Sequence, residues 1–538
     1  MKVVLISPPV TRHREFDHTK ARVSPFFPLG LAYLAAAIIK AGYDVVIRDY
    51  LINFFDGAGS PYHDTMVRYG ASDEHIVGDL RNTHADVVGI SCLFSAQEFD
   101  ARLLCRLART ALPGAFVVMG GPHAGASSVE FMESEPELDG VVLGEAEESI
   151  TELIGALIQG RDLQSVDGLA WRAEDRKVFR QEKTRYIENL DALSMPARFL
   201  FDMDLYFEKA KGHNVPEAEP CAQMITSRGC PFRCSFCALG NHWGKCQRKR
   251  SAANVLEEIR FLVETYGIRE IHFEDDNLTS DKQRALEIFR GMRDANWDLR
   301  WAAPTGLAIA TLDGELLAAM KESGCYSISV AIESGDQTVL TKLMRKPVRL
   351  ERVPRVVQTA RKCGLLVKGF FILGYPGETK ETMRKTVDFA RSLELDWAFF
   401  FVATPIPHTE MWDTCVKEGY FDPSDYDPTI GFLRCQIQTP EFTPQEVAEL
   451  REEAIIECNF RNNVNLRRYD VERAIRDFKG VLEIYPHFDF AHVSLGEAYL
   501  RKGLVEEARA CWLEALRYNP NNADALRLLN AAPSDSSS

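Results

Sequence analysis

The feature that most constrains this chain is a short loop that carries three cysteines: Cys230, Cys234 and Cys237. The loop follows an apolar segment, residues 222–226, that predicts a strand. Three thiols on one loop can converge on one metal centre, and a 4Fe-4S cluster held by three cysteines leaves one iron open to another ligand. A zinc ion is the alternative, and it would need a fourth ligand such as Cys221, His242 or Cys246.

Length and charge limit the classes of protein that the chain can belong to. Its 538 residues exceed a single core and predict about three domains. The net charge of -15 argues against binding a nucleic-acid backbone. We see no basic segment followed by an apolar core as in a signal peptide, and the longest apolar run, residues 29–39, is too short to span a bilayer. We therefore expect a cytoplasmic protein without a membrane span, a nucleic-acid partner or disulfides.

The N-terminal part, residues 1–165, predicts a doubly wound α/β domain. Five short apolar runs alternate with helix-length segments, at residues 3–6, 45–47, 87–90, 116–119 and 141–143. Runs without polar alternation indicate parallel strands that are buried on both faces. Such a flavodoxin-like domain binds ligands at the carboxyl ends of its strands. The candidate binding residues there are Pro8, Pro9, Ser91, Leu93, Gly120, Gly121, His123, Gly144 and Glu145.

The central part, residues 216–430, follows a connecting segment, residues 166–215, in which we predict a hairpin. Six strand-like runs with helical segments between them predict a partial (β/α)6 barrel, whose ligands should lie at the carboxyl ends of the strands. The candidates at these ends are Asp275, Asp276, Glu333, Ser334, Gly374, Pro376 and Gly377. Helix capping is the alternative role for the acidic residues and for Ser334. Arg248 and Arg250 could contact an anion, although a solvated basic run is the default interpretation.

Together these motifs resemble the cobalamin-dependent radical S-adenosylmethionine (SAM) family, over about residues 1–430. The CxxxCxxC spacing with Phe236 before the last cysteine resembles the radical SAM signature. Ser91-x-Leu93, followed after 26 residues by Gly120-Gly121, resembles a cobalamin-tail pocket. The resemblance implies a 4Fe-4S cluster on the three loop cysteines and cobalamin on the N-terminal candidates. It also implies that the barrel candidates bind the amino group, ribose, carboxylate and adenine of SAM.

The chain departs from the family pattern in two places. The family motif Asp-x-His-x-x-Gly after the first strand is replaced by the sequence SPPV at residues 7–10. We therefore expect the lower axial position of cobalt to be open or filled by water, with His13 facing solvent. His408 stands where the family motif Pro-x-Pro-Gly-Thr has glycine, which leaves the backbone conformation there open.

The C-terminal part, residues 431–532, contains a repeat of 34 residues. Five positions recur with this period, namely Ala474, Phe478, Leu482, Pro486 and Ala491. The period resembles tetratricopeptide repeats, which are pairs of helices. About two repeats fall below the usual stable minimum, so we expect them to pack on the catalytic domain or on a protein partner. The polar tail, residues 533–538, is expected to be disordered.

The resemblance implies reductive cleavage of SAM to a 5'-deoxyadenosyl radical, which abstracts hydrogen from a small-molecule substrate. The leading hypothesis is methylation of an unactivated carbon through methylcobalamin, with flavodoxin or ferredoxin as electron donor. No catalytic side chain can be named, because the cofactors perform the chemistry. The alternatives are an oxidative cyclisation resembling that of anaerobic magnesium-protoporphyrin IX monomethyl ester cyclase, another rearrangement without methyl transfer, and a zinc-stabilised binding module.

Overall fold

The N-terminal region is built on a seven-stranded sheet that contains the five predicted parallel strands. The computed structural model describes residues 1–14, 23, 25–173, 175–210, 215–427, 434–468 and 470–532, so the predicted disordered tail lies outside the described residues. The strands of this region are β1 Lys2–Ser7, β2 Val10–His13, β3 Asp44–Asp49, β4 Ser60–Tyr62, β5 Met66–Tyr69, β6 Val87–Ser91, β7 Phe116–Gly120, β8 Gly140–Val142, β9 Leu169–Arg172 and β10 Val178–Arg180. The sheet order is β10-β9-β8-β7-β6-β1-β3, and β2-β5-β4 form a small separate sheet.

Helices cover both faces of this sheet, which explains why its strands are apolar without alternation. Val4 and Ile6 of β1 belong to one buried cluster, and Val3 and Leu5 belong to another on the opposite face. The predicted doubly wound α/β fold is therefore confirmed. The helices are Leu29–Lys40, Asp73–Thr83, Glu98–Ala111, Pro122–Ala126, Ser128–Ser134 and Glu147–Gln159.

The hairpin that the sequence predicts in the connecting segment extends the N-terminal sheet. Strands β9 and β10 pair antiparallel, and β9 pairs antiparallel with β8. Trp171 and Phe179 stack across the hairpin, with ring centroids 5.5 Å apart. The chain then passes through a short helix, Met203–Lys209, to the central domain.

The central domain is the predicted six-stranded partial barrel. Its strands are β11 Cys221–Met224, β12 Ser227–Arg228, β13 Arg248–Lys249, β14 Glu270–Phe273, β15 Arg300–Leu307, β16 Cys325–Glu333, β17 Leu366–Leu373 and β18 Trp397–Val402. Six of them form a parallel sheet in the order β11-β14-β15-β16-β17-β18. The helices are Leu239–Trp243, Ala252–Tyr266, Lys282–Asp294, Gly314–Glu322, Val353–Lys362, Lys380–Ser392 and Glu410–Lys417.

The C-terminal helices pack on the open edge of the barrel, as expected for so few repeats. They are Pro444–Ile455, Val464–Arg468, Val471–Ile484, Asp489–Arg501, Val505–Tyr518 and Ala523–Ala531. The side-chain amide of Asn459 donates to Ala398 O at 2.7 Å, and Ala398 N donates to Asn459 Oδ1 at 2.7 Å. The side chain of Asn459 therefore makes the pair of hydrogen bonds with the edge strand β18 that a neighbouring strand would otherwise make. Within the described ranges no helix is both long and apolar enough to cross a membrane.

A glycine between the repeat helices gives a first testable prediction. A Cβ at Gly496 would stand 2.3 Å from Nε1 of the buried Trp512. We expect Gly496→Ala to destabilise the protein by about 1–3 kcal/mol, because the indole ring must move. Gly480→Ala is the matched control, since a Cβ at Gly480 meets nothing within 4 Å. It should stabilise its helix by up to about 1 kcal/mol. Thermal unfolding measures both, and a Gly496→Ala protein as stable as the control would contradict the prediction.

Candidate active site

The three cysteines lie on a loop that starts directly after β12 and is fixed by its neighbours through Ser235. Ser235 N donates to Met344 O at 3.0 Å, and its hydroxyl donates to Leu343 O at 2.6 Å. The same hydroxyl lies 2.8 Å from the Tyr375 hydroxyl, and Ser235 O accepts from Met411 N at 2.9 Å. The cysteine loop is thus held by the segments that follow β16, β17 and β18.

The three thiols are partly buried, are free of disulfides and interact electrostatically with one another. Burial raises the pKa of each thiol, and that of Cys237 to about 12. Among the described residues, Cys221, Glu270 and His272 form a set of three potential metal-binding groups whose ligand atoms all lie within 4.8 Å of one another. The loop cysteines do not form such a set. Some pair of loop sulfurs is therefore more than 4.8 Å apart.

The ligand chemistry of the loop bears on the two metal hypotheses. A tetrahedral zinc ion needs four ligands, and the loop supplies three thiols. A 4Fe-4S cluster has thiolates as its usual ligands. Cys221, one candidate for a fourth zinc ligand, lies instead beside Glu270 and His272. The donor set of the loop fits a 4Fe-4S cluster.

The acidic residues after β14 take two different roles. Asp275 is 1% exposed and accepts hydrogen bonds from Thr226 N at 3.0 Å, Thr226 Oγ1 at 2.7 Å and Ser227 Oγ at 2.6 Å. It therefore ties the end of β14 to the segment that leads into the cysteine loop. Asp276 accepts from Gly229 N at 3.1 Å. Burial and the neighbouring Asp275 carboxylate raise the pKa of Asp276 to about 7.

Glu333 and Ser334 at the end of β16 also differ in their surroundings. Glu333 has a backbone φ of +71°, and its carboxylate accepts from Lys346 Nζ at 2.7 Å. Ser334 is fully buried, and its hydroxyl accepts from Asp336 N at 3.1 Å and lies 3.2 Å from Thr386 Oγ1. Ser334 therefore closes a turn, and the N-cap contacts that the sequence offered as its alternative role belong to Asp336, whose Oδ1 accepts from Thr338 N at 2.8 Å and from Val339 N at 3.2 Å.

The turn after β17 contains Gly374, Pro376 and Gly377 and packs tightly. Gly374 and Gly377 have φ values of +79° and +89°, a region that side chains disfavour. A Cβ at Gly374 would stand 3.1 Å from Val447, and one at Gly377 would stand 3.2 Å from Leu343. The turn brings the backbone close to the segment that holds the cysteine loop.

The buried Glu378 in the same turn gives a prediction of pH dependence. Burial raises the pKa of Glu378 to about 8, against 4.5 in water. Between these pH values the folded protein keeps a proton that the unfolded chain has lost, so the stability falls as the pH rises. Glu378→Gln imitates the protonated group. In urea unfolding it should match the wild type near pH 5 and exceed it by about 1–3 kcal/mol at pH 8. The exposed Glu381→Gln is the control, and a pH-independent gain would contradict the assignment.

The candidate residues of the N-terminal domain gather at the carboxyl edge of its sheet. Pro8 and Pro9 follow β1, Ser91 ends β6, and Gly120 ends β7. Gly121 has a φ of +115°, and a Cβ there would stand 2.5 Å from Cys92 O. A side chain at Gly121 would clash with this oxygen, so glycine is required there. Without side chains, the Gly-Gly turn lets a bulky ligand approach the backbone. The exposed side chain of Leu93 adds apolar surface at this edge.

His123 is buried and has partners at both ring nitrogens. Its Nε2 lies 2.8 Å from Glu98 Oε2, and its Nδ1 lies 3.2 Å from Ser95 Oγ. Gly144 has a φ of +65°, and a Cβ there would stand 3.1 Å from His242 O, which belongs to the central domain. His123 is thus oriented by its own domain, whereas Gly144 lies where the two domains meet.

Glu145 belongs to a buried ionic network that joins the two domains. It is 2% exposed and accepts from Arg228 Nη1 at 2.8 Å and from Arg248 Nη1 at 2.6 Å. Arg228 also donates to Glu147 Oε1. Because Arg228 stands two residues before Cys230, this network connects the N-terminal domain to the cysteine loop.

The expectation of a solvated basic run at Arg248 and Arg250 is wrong. Arg248 pairs with Glu145, and Arg250 is 6% exposed and pairs with Glu258. The role of Arg228 was also not predicted from the sequence. The one feature that could have indicated it is the position of Arg228 just before the cysteine motif. A run of alternating basic residues is solvated only if no acidic partner folds against it, and the partner Glu145 is 103 residues from Arg248.

His13 and His408 are the two histidines that bear on the departures of the chain from the family pattern. His13 is half-buried in β2, whereas the sequence suggested a solvent-facing loop. His408 has a φ of +62°, so it adopts the left-handed conformation that the usual glycine would favour. Its carbonyl accepts from Asn241 Nδ2 at 2.9 Å, and its Nε2 lies 3.6 Å from Glu130 Oε1 in the N-terminal domain.

Comparison with known families matches each of the three regions. The Radical SAM superfamily profile matches residues 224–390, the B12 binding domain profile residues 20–154, and a tetratricopeptide repeat profile residues 466–532. Among curated proteins, cytidylyl-2-hydroxyethylphosphonate methyltransferase of Streptomyces wedmorensis is 35% identical over 496 residues, which cover 87% of this chain and 90% of the relative.

Solved structures share the fold. The cobalamin-dependent SAM radical enzyme OxsB with aqua-cobalamin bound has a TM-score of 0.66 at 15% identity, covering 98% of this chain and 80% of that one. The radical SAM methyltransferase TsrM of Kitasatospora setae, with cobalamin and a 4Fe-4S cluster bound, has a TM-score of 0.61 at 19% identity, covering 77% and 74%. The chain therefore belongs to the cobalamin-dependent radical SAM enzymes, whose cofactors are a 4Fe-4S cluster, SAM and cobalamin.

Proposed function

We propose that this enzyme methylates an unactivated carbon of a small molecule through cobalamin. The observation that carries the proposal is the network of Glu145, Glu147, Arg228 and Arg248, which fixes the carboxyl edge of the N-terminal sheet beside the cysteine loop. A methyl carrier bound at that edge would face the site where the radical forms. The bound cofactors supply radical generation and the transferable methyl group, and the protein supplies position and exclusion of water.

We assign the cofactor contacts as follows. Cys230, Cys234 and Cys237 hold the cluster. Asp276 binds the SAM amino group, because the oxygens of Asp275 are used by Thr226 and Ser227. Glu333 contacts the ribose or the carboxylate of SAM, and the turn with Gly374, Pro376 and Gly377 approaches the adenine. Cobalamin binds the residues at the edge of the N-terminal sheet, namely Pro8, Pro9, Ser91, Leu93, Gly120, Gly121 and Gly144.

The first substrate to test comes from the relative that is 35% identical, whose name specifies cytidylyl-2-hydroxyethylphosphonate. The experiment uses anaerobically reconstituted enzyme, a reductant, that compound and SAM with a deuterated methyl group. Methylation predicts a product carrying the label, with one 5'-deoxyadenosine and one S-adenosylhomocysteine formed per product. A cyclisation or rearrangement would give 5'-deoxyadenosine without S-adenosylhomocysteine. That outcome would replace methyl transfer by the alternative reaction class.

The remaining assignments complete the proposal. The proposed domains comprise residues 1–165, 216–430 and 431–532, and the connecting segment, residues 166–215, adds strands β9 and β10 to the N-terminal sheet. We infer a cytoplasmic location. A flavodoxin or ferredoxin is the proposed electron donor, and the tetratricopeptide repeats offer a surface for a protein partner.

A further inference from the structure

Lys346 lies on the segment that holds the cysteine loop in place. The segment continues from a short π-helical turn, Val339–Leu343, and Lys346 N donates to Leu340 O at 2.8 Å. Leu343 and Met344 accept the hydrogen bonds of Ser235, which directly follows Cys234. The backbone of Lys346 is therefore fixed next to the cysteine loop through several hydrogen bonds on both sides.

The side chain of Lys346 turns into the site and not toward solvent. It is 12% exposed, and its ammonium donates to Glu333 Oε1 at 2.7 Å. Nζ also lies over the ring of Phe236, 5.8 Å from its centroid. Phe236 stands between Cys234 and Cys237, and the charge of Lys346 interacts with both of their thiols.

The Glu333 carboxylate, 2.7 Å from Nζ, pairs with the Lys346 ammonium. The neighbouring Arg345 is directed away, toward Glu410. A buried cation is costly unless negative groups compensate it. Here the compensating group is Glu333, and the ring of Phe236 places the cation beside the cysteine loop.

We propose that Lys346 raises the reduction potential of the cluster and orients Glu333, as a positioning residue of the radical SAM site. A cluster held by the loop would gain one negative charge on reduction by an external donor. In an effective dielectric of about 20, a unit positive charge at a separation on the order of 10 Å favours such an uptake by a factor on the order of ten. The inference rests on the assignment of the cluster to Cys230, Cys234 and Cys237.

The test is a redox titration of reconstituted holoenzyme with dithionite, followed by electron paramagnetic resonance. Lys346→Met, which removes the charge but keeps much of the shape, should lower the equilibrium constant for reduction about tenfold, or about 59 mV for one electron. Lys346→Arg should restore most of the shift. Lys342→Met is the control, because Lys342 is exposed on the same segment. Its midpoint should equal that of the wild type.

A second variant keeps the test decisive if Lys346→Met fails to assemble a cluster. Glu333→Gln removes the compensating negative charge and leaves the ammonium, so it should move the midpoint to less negative potential. A Lys346→Met protein with a full complement of iron and a wild-type midpoint would overturn the inference. A Glu333→Gln midpoint that is unchanged or more negative would overturn it as well. Wild-type protein that binds no iron would instead reject the cluster assignment.

Discussion

Cys234→Ala is expected to abolish SAM cleavage. The variant removes one of three cluster ligands on a loop that has no other thiol, so the bound iron should fall from about four per chain to a small fraction. We expect formation of 5'-deoxyadenosine to drop by more than about a hundredfold, because loss of a ligand exceeds the tenfold to hundredfold cost of losing an outer partner. Anaerobic reconstitution, iron analysis and chromatographic detection of 5'-deoxyadenosine measure both effects.

Cys246→Ala is the matched control for this experiment. Cys246 follows the same loop by nine positions but is exposed. The Cys246→Ala variant should retain the iron content and the 5'-deoxyadenosine formation of the wild type. If Cys234→Ala kept its iron, or if zinc replaced iron in the wild type, the radical SAM chemistry of this loop would be refuted.

Arg228→Met is expected to destabilise the protein by about 3–5 kcal/mol, because it leaves the buried Glu147 carboxylate without its arginine partner and Glu145 with Arg248 alone. The side chains of Arg228, Glu145 and Glu147 are 5%, 1% and 7% exposed. Solvent therefore cannot compensate the lost charge. The N-terminal domain should also lose its fixed position beside the cysteine loop. We expect methylated product to decline more than 5'-deoxyadenosine, since SAM cleavage needs only the barrel.

Urea unfolding and the ratio of the two products measure these effects. Arg260→Met is the control, because Arg260 is exposed on the helix Ala252–Tyr266. Its stability should stay within about 0.5 kcal/mol of the wild type. If Arg228→Met unfolds at the same urea concentration as the wild type, the ionic network does not stabilise the protein as predicted. If both products decline equally, Arg228 acts on the cysteine loop itself and not on the joint between the domains.

Sequence patterns were sufficient where structure depends on local periodicity. The run at residues 3–6 is apolar at every position because its side chains pack into two cores on opposite faces of the sheet. The 34-residue repeat places Trp512 against Gly496, the small residue that lets the two helices meet. In the same way, the sequence predicted that one loop directly after a strand carries the three cysteines, and this loop follows β12. In each case the information lies within a few turns or strands of chain.

Sequence patterns were insufficient where a side chain has a choice of distant partners. Asp275 and Asp276 are adjacent and chemically alike, yet Asp275 binds Thr226 and Ser227 while Asp276 binds Gly229. A run of acidic residues contains nothing that separates these roles. The separation comes from the alternate directions of successive side chains at the end of a strand.

By itself, therefore, the sequence determined the fold class, the three regions and the cysteine loop, because each depends on residue spacing along the chain. Only the tertiary structure decided that Arg228 and Arg248 meet Glu145, 83 and 103 residues away, and that Lys346 meets Glu333 beside the cysteines. The physical reason is that burial makes an ion pair obligatory for a charged side chain without specifying its partner. The partner is chosen by the packing of whole domains.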